Sequence, residues 1–182
     1  MLVQDAQRNV RTVFVGGFWG QLVSSVLWLV SAALGTWVSP RAAILEIVFG
    51  GCFIFPLTVT LLRLLGGSTS PTKGNPLSSL GMQIAFTVPL GMLLLIPVTQ
   101  LRLTLFYPAL MILVGAHYLP FIFLYGMRMF AALAAILVAG GIIIEQYFPK
   151  SFTLGAWVGG VALLIFAVIG RITVQREARN TA

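Results

Sequence analysis

Few side chains in this sequence can do chemistry, and they stand far apart. The chain of 182 residues holds one histidine, one cysteine and four acidic residues. His117 lies in the apolar run VGAHYLPFIFLYGMR, residues 114–128. At helical spacing His117, Phe121, Tyr125 and Arg128 fall near one face, and Tyr118 is turned by about 100° from His117. Pro120 cannot donate to the carbonyl of Ala116 and crowds it. A free carbonyl is therefore expected beside an imidazole that has one nitrogen to donate and one to accept. Gln21 and Gln83, each inside an apolar run, are amides in need of partners and are expected to join this spot. Such a group of residues can hydrogen-bond a solute, or tie helices together by roughly 0.6–2 kcal/mol.

A second constellation is ionic. Glu46 and Glu145 fall near the ends of apolar runs, with Arg41 and Arg102 at the same expected membrane face. A charge at that depth is costly alone and held strongly when paired. Arg41, Glu46, Arg102 and Glu145 are thus expected to cluster at the outer mouth, as structural pairs before any proton site. Covalent and metal chemistry lack their parts. With a single histidine and only Cys52, zinc and haem find no usual ligand set, and no internal disulfide can form. No G-x-S-x-G elbow supplies a nucleophile for His117. KGNP (73–76) lacks the glycine pattern of a Walker or dinucleotide motif. No catalytic residue, metal ligand or cofactor is assigned. Asn75 is expected to end its loop ahead of a helix, and Lys73 to meet an acidic lipid headgroup.

The elements that must position these residues are long and oily. The chain is 59% hydrophobic and only 8% charged, with a mean hydropathy of +1.01, against about 25% charged in an average soluble domain. Six apolar runs, approximately 13–34, 42–62, 79–99, 105–125, 129–146 and 153–170, are each long enough to cross about 30 Å of hydrocarbon as a helix. They are too continuously apolar for barrel strands, which alternate faces. The expectation is an all-α, polytopic transmembrane bundle of six helices with short loops, residues 1–182 forming one transmembrane domain. Ser39 and Pro40 suit the start of the second helix. Pro89, Gly91 and Pro97 are expected to kink the third. Small residues at spacing of four in AALAAILVAG (131–140) and GAWVGG (155–160) predict close packing of the last two helices.

Charge orients the chain. Arg8, Arg11, Arg63, Lys73, Arg128, Arg171, Arg176 and Arg179 fall on the side of the termini, and Arg41, Arg102 and Lys150 on the other. The positive-inside bias predicts cytoplasmic termini in a plasma membrane. Because the basic residues are scattered between oily runs and form no stripe, nucleic acid is excluded as a partner. Membrane lipids are the expected partners, with a small solute and a second copy of the chain left open.

The segments PTKGNPL (71–77), VGAHYLPFIFLYGMRM (114–129) and DAQRNVR…GG (5–17) resemble the signature segments of a family of small bacterial membrane proteins with no assigned function, and the likeness runs through most of the chain. The resemblance implies a bacterial inner-membrane protein in which His117, Tyr118, Pro120, Arg128, Lys73 and Asn75 belong to shared segments. It implies no activity. Transporter, rhodopsin and rhomboid signatures are absent. Three functions remain: a structural or partner-binding bundle, favoured; a small-solute carrier, channel or ligand-binding protein with a polar spot at His117; and, last, a lipid-active membrane enzyme.

Overall fold

An apolar run satisfies its backbone in lipid only by coiling into a helix or closing into a barrel, and among the described residues every regular element is helical. The computed structural model describes residues 1–65 and 68–180; the first two residues of the 66–79 connection lie outside them. The helices are α1 (Val3–Val13), α2 (Phe18–Trp37), α3 (Pro40–Gly51), α4 (Ile54–Leu64), α5 (Leu77–Leu101), α6 (Phe106–Tyr125), α7 (Met129–Tyr147) and α8 (Leu154–Asn180). Among the described residues, five helices are long and apolar enough to cross a membrane, six if α3 and α4 form one span.

The expected 42–62 span is broken. α3 and α4 meet at 56°, and the local sequence FGGCFIFP explains the break. Gly50 and Gly51 weaken the helix, and Pro56 has no N–H for the carbonyl one turn back. At the bend Cys52 and Phe53 instead donate to Phe49 and Gly50, three residues back. The two halves still traverse the bundle. α3 starts beside the end of α2, with Ser39 Oγ accepting from Ala42 N at 3.1 Å and Pro40 in the first turn. α4 finishes where Leu62 and Leu65 share a cleft with Val13 and Phe18.

The first and last spans also differ from expectation. Residues 3–13 form a helix of their own, with Ala6 and Val10 buried on one face. α2 begins only after a left-handed turn in which Val15, Gly16 and Gly17 all have positive φ (51°, 63° and 82°). Gly16 permits the close approach: a Cβ there would lie 2.9 Å from the Gly170 carbonyl oxygen of α8. α8 runs ten residues past 170, because Arg and Glu are good helix formers even where no longer apolar.

The core lies between α2, α6, α7 and α8, around Tyr107, Phe130, Leu133, Leu137 and Leu163. The small residues of the last two helices take other partners than expected. Gly159 and Gly160 of α8 meet Trp28 and Leu29 of α2, and Gly155 meets Tyr107 of α6. Gly141 of α7 faces the Pro108 carbonyl of α6. Small-residue spacing marks a close-packing face but cannot name what packs there.

Candidate functional site

The expected central residues divide into two neighbourhoods. His117 faces α5, where its Nδ1 lies 2.7 Å from Thr87 Oγ1. The Thr87 hydroxyl is also 2.7 Å from the Ile84 carbonyl oxygen. A hydroxyl has one proton, and the carbonyl can only accept it. The imidazole therefore donates from Nδ1, leaving Nε2 as the bare acceptor. Phe121 and Tyr118 border the ring at centroid distances of 5.0 and 5.5 Å. Ala116 is exposed, so its position points away from the core. Thr87, which the sequence reading did not single out, is the partner of the deep histidine.

Tyr118 and Tyr125, one helical face away from His117, enter the core. Tyr118 stacks on Phe130 of α7 at 5.9 Å, and Tyr125 lies 5.2 Å from the same ring. Gln21 of α2 reaches this cluster from the other side. It is 2% exposed, and its amide lies beside the Tyr118 hydroxyl without reaching hydrogen-bond geometry, so both amide atoms lack a hydrogen-bond partner among the described residues. Gln83 and Arg128 are not brought here. Both are exposed, Gln83 on α5 and Arg128 just before α7.

Of the four ionic residues, two are brought together and two are not. Arg102, at the end of α5, pairs with Glu145 of α7. Arg41 is exposed, with no ion pair among the described residues. Glu46 turns inward, beside a polar pair buried at the α2–α3–α6 junction. In that pair Ser31 Oγ donates to the Ala43 carbonyl at 2.7 Å, and the Tyr107 hydroxyl lies 2.7 Å from the same oxygen. With Ser31's proton committed to a carbonyl, Tyr107 is the donor to Ser31. Serine and tyrosine are ordinary residues in apolar runs, and no sequence signal separated these two from the rest.

The densest polar network sits at the end that carries both termini. α1 lies across it. Gln7 Nε2 and Arg11 Nη1 each donate at 2.6 Å, to the carbonyls of Phe123 and Tyr125. They supply partners for the last carbonyls of α6, which its own helix leaves open. Arg11 also pairs with Glu177 of α8 at 2.8 Å. Asn75, 5% exposed, donates to Ala6 O at 3.1 Å and Asn9 Oδ1 at 3.0 Å. Its Oδ1 accepts from Leu77 N at 2.9 Å, opening α5. Lys73, two residues earlier, is exposed. The three segments that carried the family resemblance thus meet here: 5–17, 71–77 and the end of 114–129.

A helical chain with, among the described residues, five or six apolar spans long enough to cross a membrane is a multi-pass integral membrane protein. Residues 3–173 match a family of unknown function, DUF7010, and the chain belongs to that family. No curated protein and no solved structure matches it.

Proposed function

We propose that the protein is a non-catalytic bundle whose inner polar groups hold its helices in register and which acts by binding a partner within the membrane. The observation that carries this reading is the Ile84–Thr87–His117 relay, which engages the one deep histidine in a tie between α5 and α6. The uneven cover of the spans supports the partner. Only 11% of the most apolar stretch of α5 is buried, against 33–44% in the other four continuous spans. Charge bias supports cytoplasmic termini, and a bacterial plasma membrane is what the resemblance of the shared segments implies. The decisive experiment compares His117→Ala, Thr87→Val and the double variant by thermal unfolding in detergent. Each single change should lower the melting temperature by about 2–8 °C, for a tie of roughly 1–2 kcal/mol. The double variant should lose little more than either single. Additive losses, or a solute that stabilises the wild type but not His117→Ala, would overturn the assignment.

A ligand-binding reading is favoured by one observation, the buried Gln21 amide without a partner. An unsatisfied buried amide costs about 1–3 kcal/mol, and a polar solute between Gln21 and Tyr118 would remove that cost. Gln21→Leu separates the cases. In an empty site it should leave melting unchanged or raise it; in a solute-filled site it should lower melting in membranes and leave none of the solute bound.

A further inference from the structure

At the end holding the termini, a cleft of about 470 Å³ opens between the start of α2, the end of α4 and the outgoing stretch of α8. Its polar rim is Thr12, Ser68, Arg171 and Gln175, and its apolar lining includes Phe18, Trp19, Leu62 and Leu65. Arg171 holds its guanidinium 4.9 Å over the Phe18 ring. Arg11 and Arg102 each pair with a glutamate; among the described residues no carboxylate pairs with Arg171. Its charge is held in place and left unneutralised, which is how a planar guanidinium meets a phosphate.

The same seam continues into the membrane. A second depression, of about 220 Å³, follows between Leu22, Val23, Val26 and Leu27 of α2 and Leu57 and Leu61 of α4. None of these side chains is polar. α3 packs along α2, whereas the 56° bend sends α4 off that line, and the groove lies between α2 and α4. From Phe18 to Leu27 the helix rises about 14 Å, close to the ~15 Å depth of one leaflet's hydrocarbon. A charged rim at the surface and an apolar track one leaflet deep match the two ends of one molecule.

We propose that this seam holds an anionic phospholipid, its phosphate against Arg171 and the rim hydroxyls and amide, one acyl chain lying in the α2–α4 groove. Arg8, Arg63 and Arg176 stand at the same end and add an attractive field for acidic headgroups. A free phosphorylated metabolite has no use for the apolar track, and a second copy of the chain has no use for the unneutralised cation.

The test uses the full chain in nanodiscs of equal phosphatidylglycerol and phosphatidylcholine, released into the gas phase for native mass spectrometry. The wild type should retain one phosphatidylglycerol in preference to phosphatidylcholine. Arg171→Gln should reduce that preference about tenfold, the scale of one lost charge-assisted contact. Val26→Trp, which fills the groove, should reduce retention of both lipids. Arg41→Gln, a charge change at the opposite end, should alter neither, and millimolar inorganic phosphate should displace nothing. Equal retention of both lipids, an unchanged preference in Arg171→Gln, displacement by inorganic phosphate, or a lipid-free dimer sealed through this face would each overturn the proposal. If Arg171→Gln does not yield a folded bundle, the Val26→Trp arm decides, because a lipid held elsewhere would not respond to it.

Discussion

Replacing Asn75 by alanine should release α1 before anything else in the molecule moves. The side chain is 5% exposed and engages three groups: it donates to Ala6 O and Asn9 Oδ1 and accepts from Leu77 N. A neutral hydrogen bond contributes about 0.5–1.5 kcal/mol net. Three sharing one amide are not independent, and water can reach this end of the bundle, so about 2–3 kcal/mol is the expected loss. Spread over the whole chain, that lowers melting by about 4–12 °C. Its local form is more diagnostic. Deuterium uptake in residues 3–13 should rise well ahead of uptake in α6 or α7, and trypsin should begin to cut after Arg8. Because Asn9 Oδ1 also accepts from Thr72 N at 2.9 Å, Asn9→Ala should reproduce much of the effect. The Asn9→Ala, Asn75→Ala pair should fall short of additivity by about 0.5–1.5 kcal/mol. If Asn75→Ala leaves α1 as protected as in the wild type, or if the two losses simply add, the clamp does not exist as described.

Two further outcomes follow from the same end of the bundle. Gly126→Ala should cost about 1–2 kcal/mol in conformation alone, since φ is +64° there. The new Cβ would also lie 2.8 Å from Gln7 Oε1, whereas Gly74, at φ +84°, has nothing within 4 Å of its Cβ position; Gly126→Ala should therefore lower melting more than Gly74→Ala, and equal shifts would refute the contact. A cysteine at Ser70, an exposed position, should react with an impermeant thiol reagent only after the cytoplasmic face of the cell is opened, and labelling of sealed cells would reverse the proposed orientation.

The long spans were legible in the sequence because lipid imposes length and apolarity on any crossing helix. Residues 129–146 and 105–125 are matched by α7 and α6 to within a residue or two. The same criterion hid α1. Its Val3, Ala6, Val10 and Val13 recur at three and four residues, a helical stripe, but the segment is too polar to register as a span. The bend at Cys52 was also written out, in two glycines followed by a proline, yet a 21-residue apolar stretch reads as continuous when only hydropathy is followed. Side-chain destinations were harder. An amide inside an apolar run wants a partner, and this holds equally for Gln21, which is buried, and Gln83, which is exposed. What separates them is the rotation of α2 and α5 against their neighbours, a tertiary quantity. His117 was visible as deep and polar; that its partner would be Thr87 required knowing which face of α5 lies against α6.

The clamp at the terminal end has a bearing on how the molecule is made. Arg11 and Glu177, which it joins, are 166 positions apart. At about 5–20 residues per second of synthesis, α1 leaves the ribosome on the order of ten to thirty seconds before its last partner exists. Until α5 and α6 have followed it, its apolar stripe of Ala6 and Val10 is uncovered, and the membrane surface is the nearest place to rest. α1 is therefore fitted well after it is made. A chain halted before α6 should carry α1 loose, whereas one halted before α8 should still hold it through Asn75 and the last carbonyls of α6 and lack the Arg11–Glu177 pair.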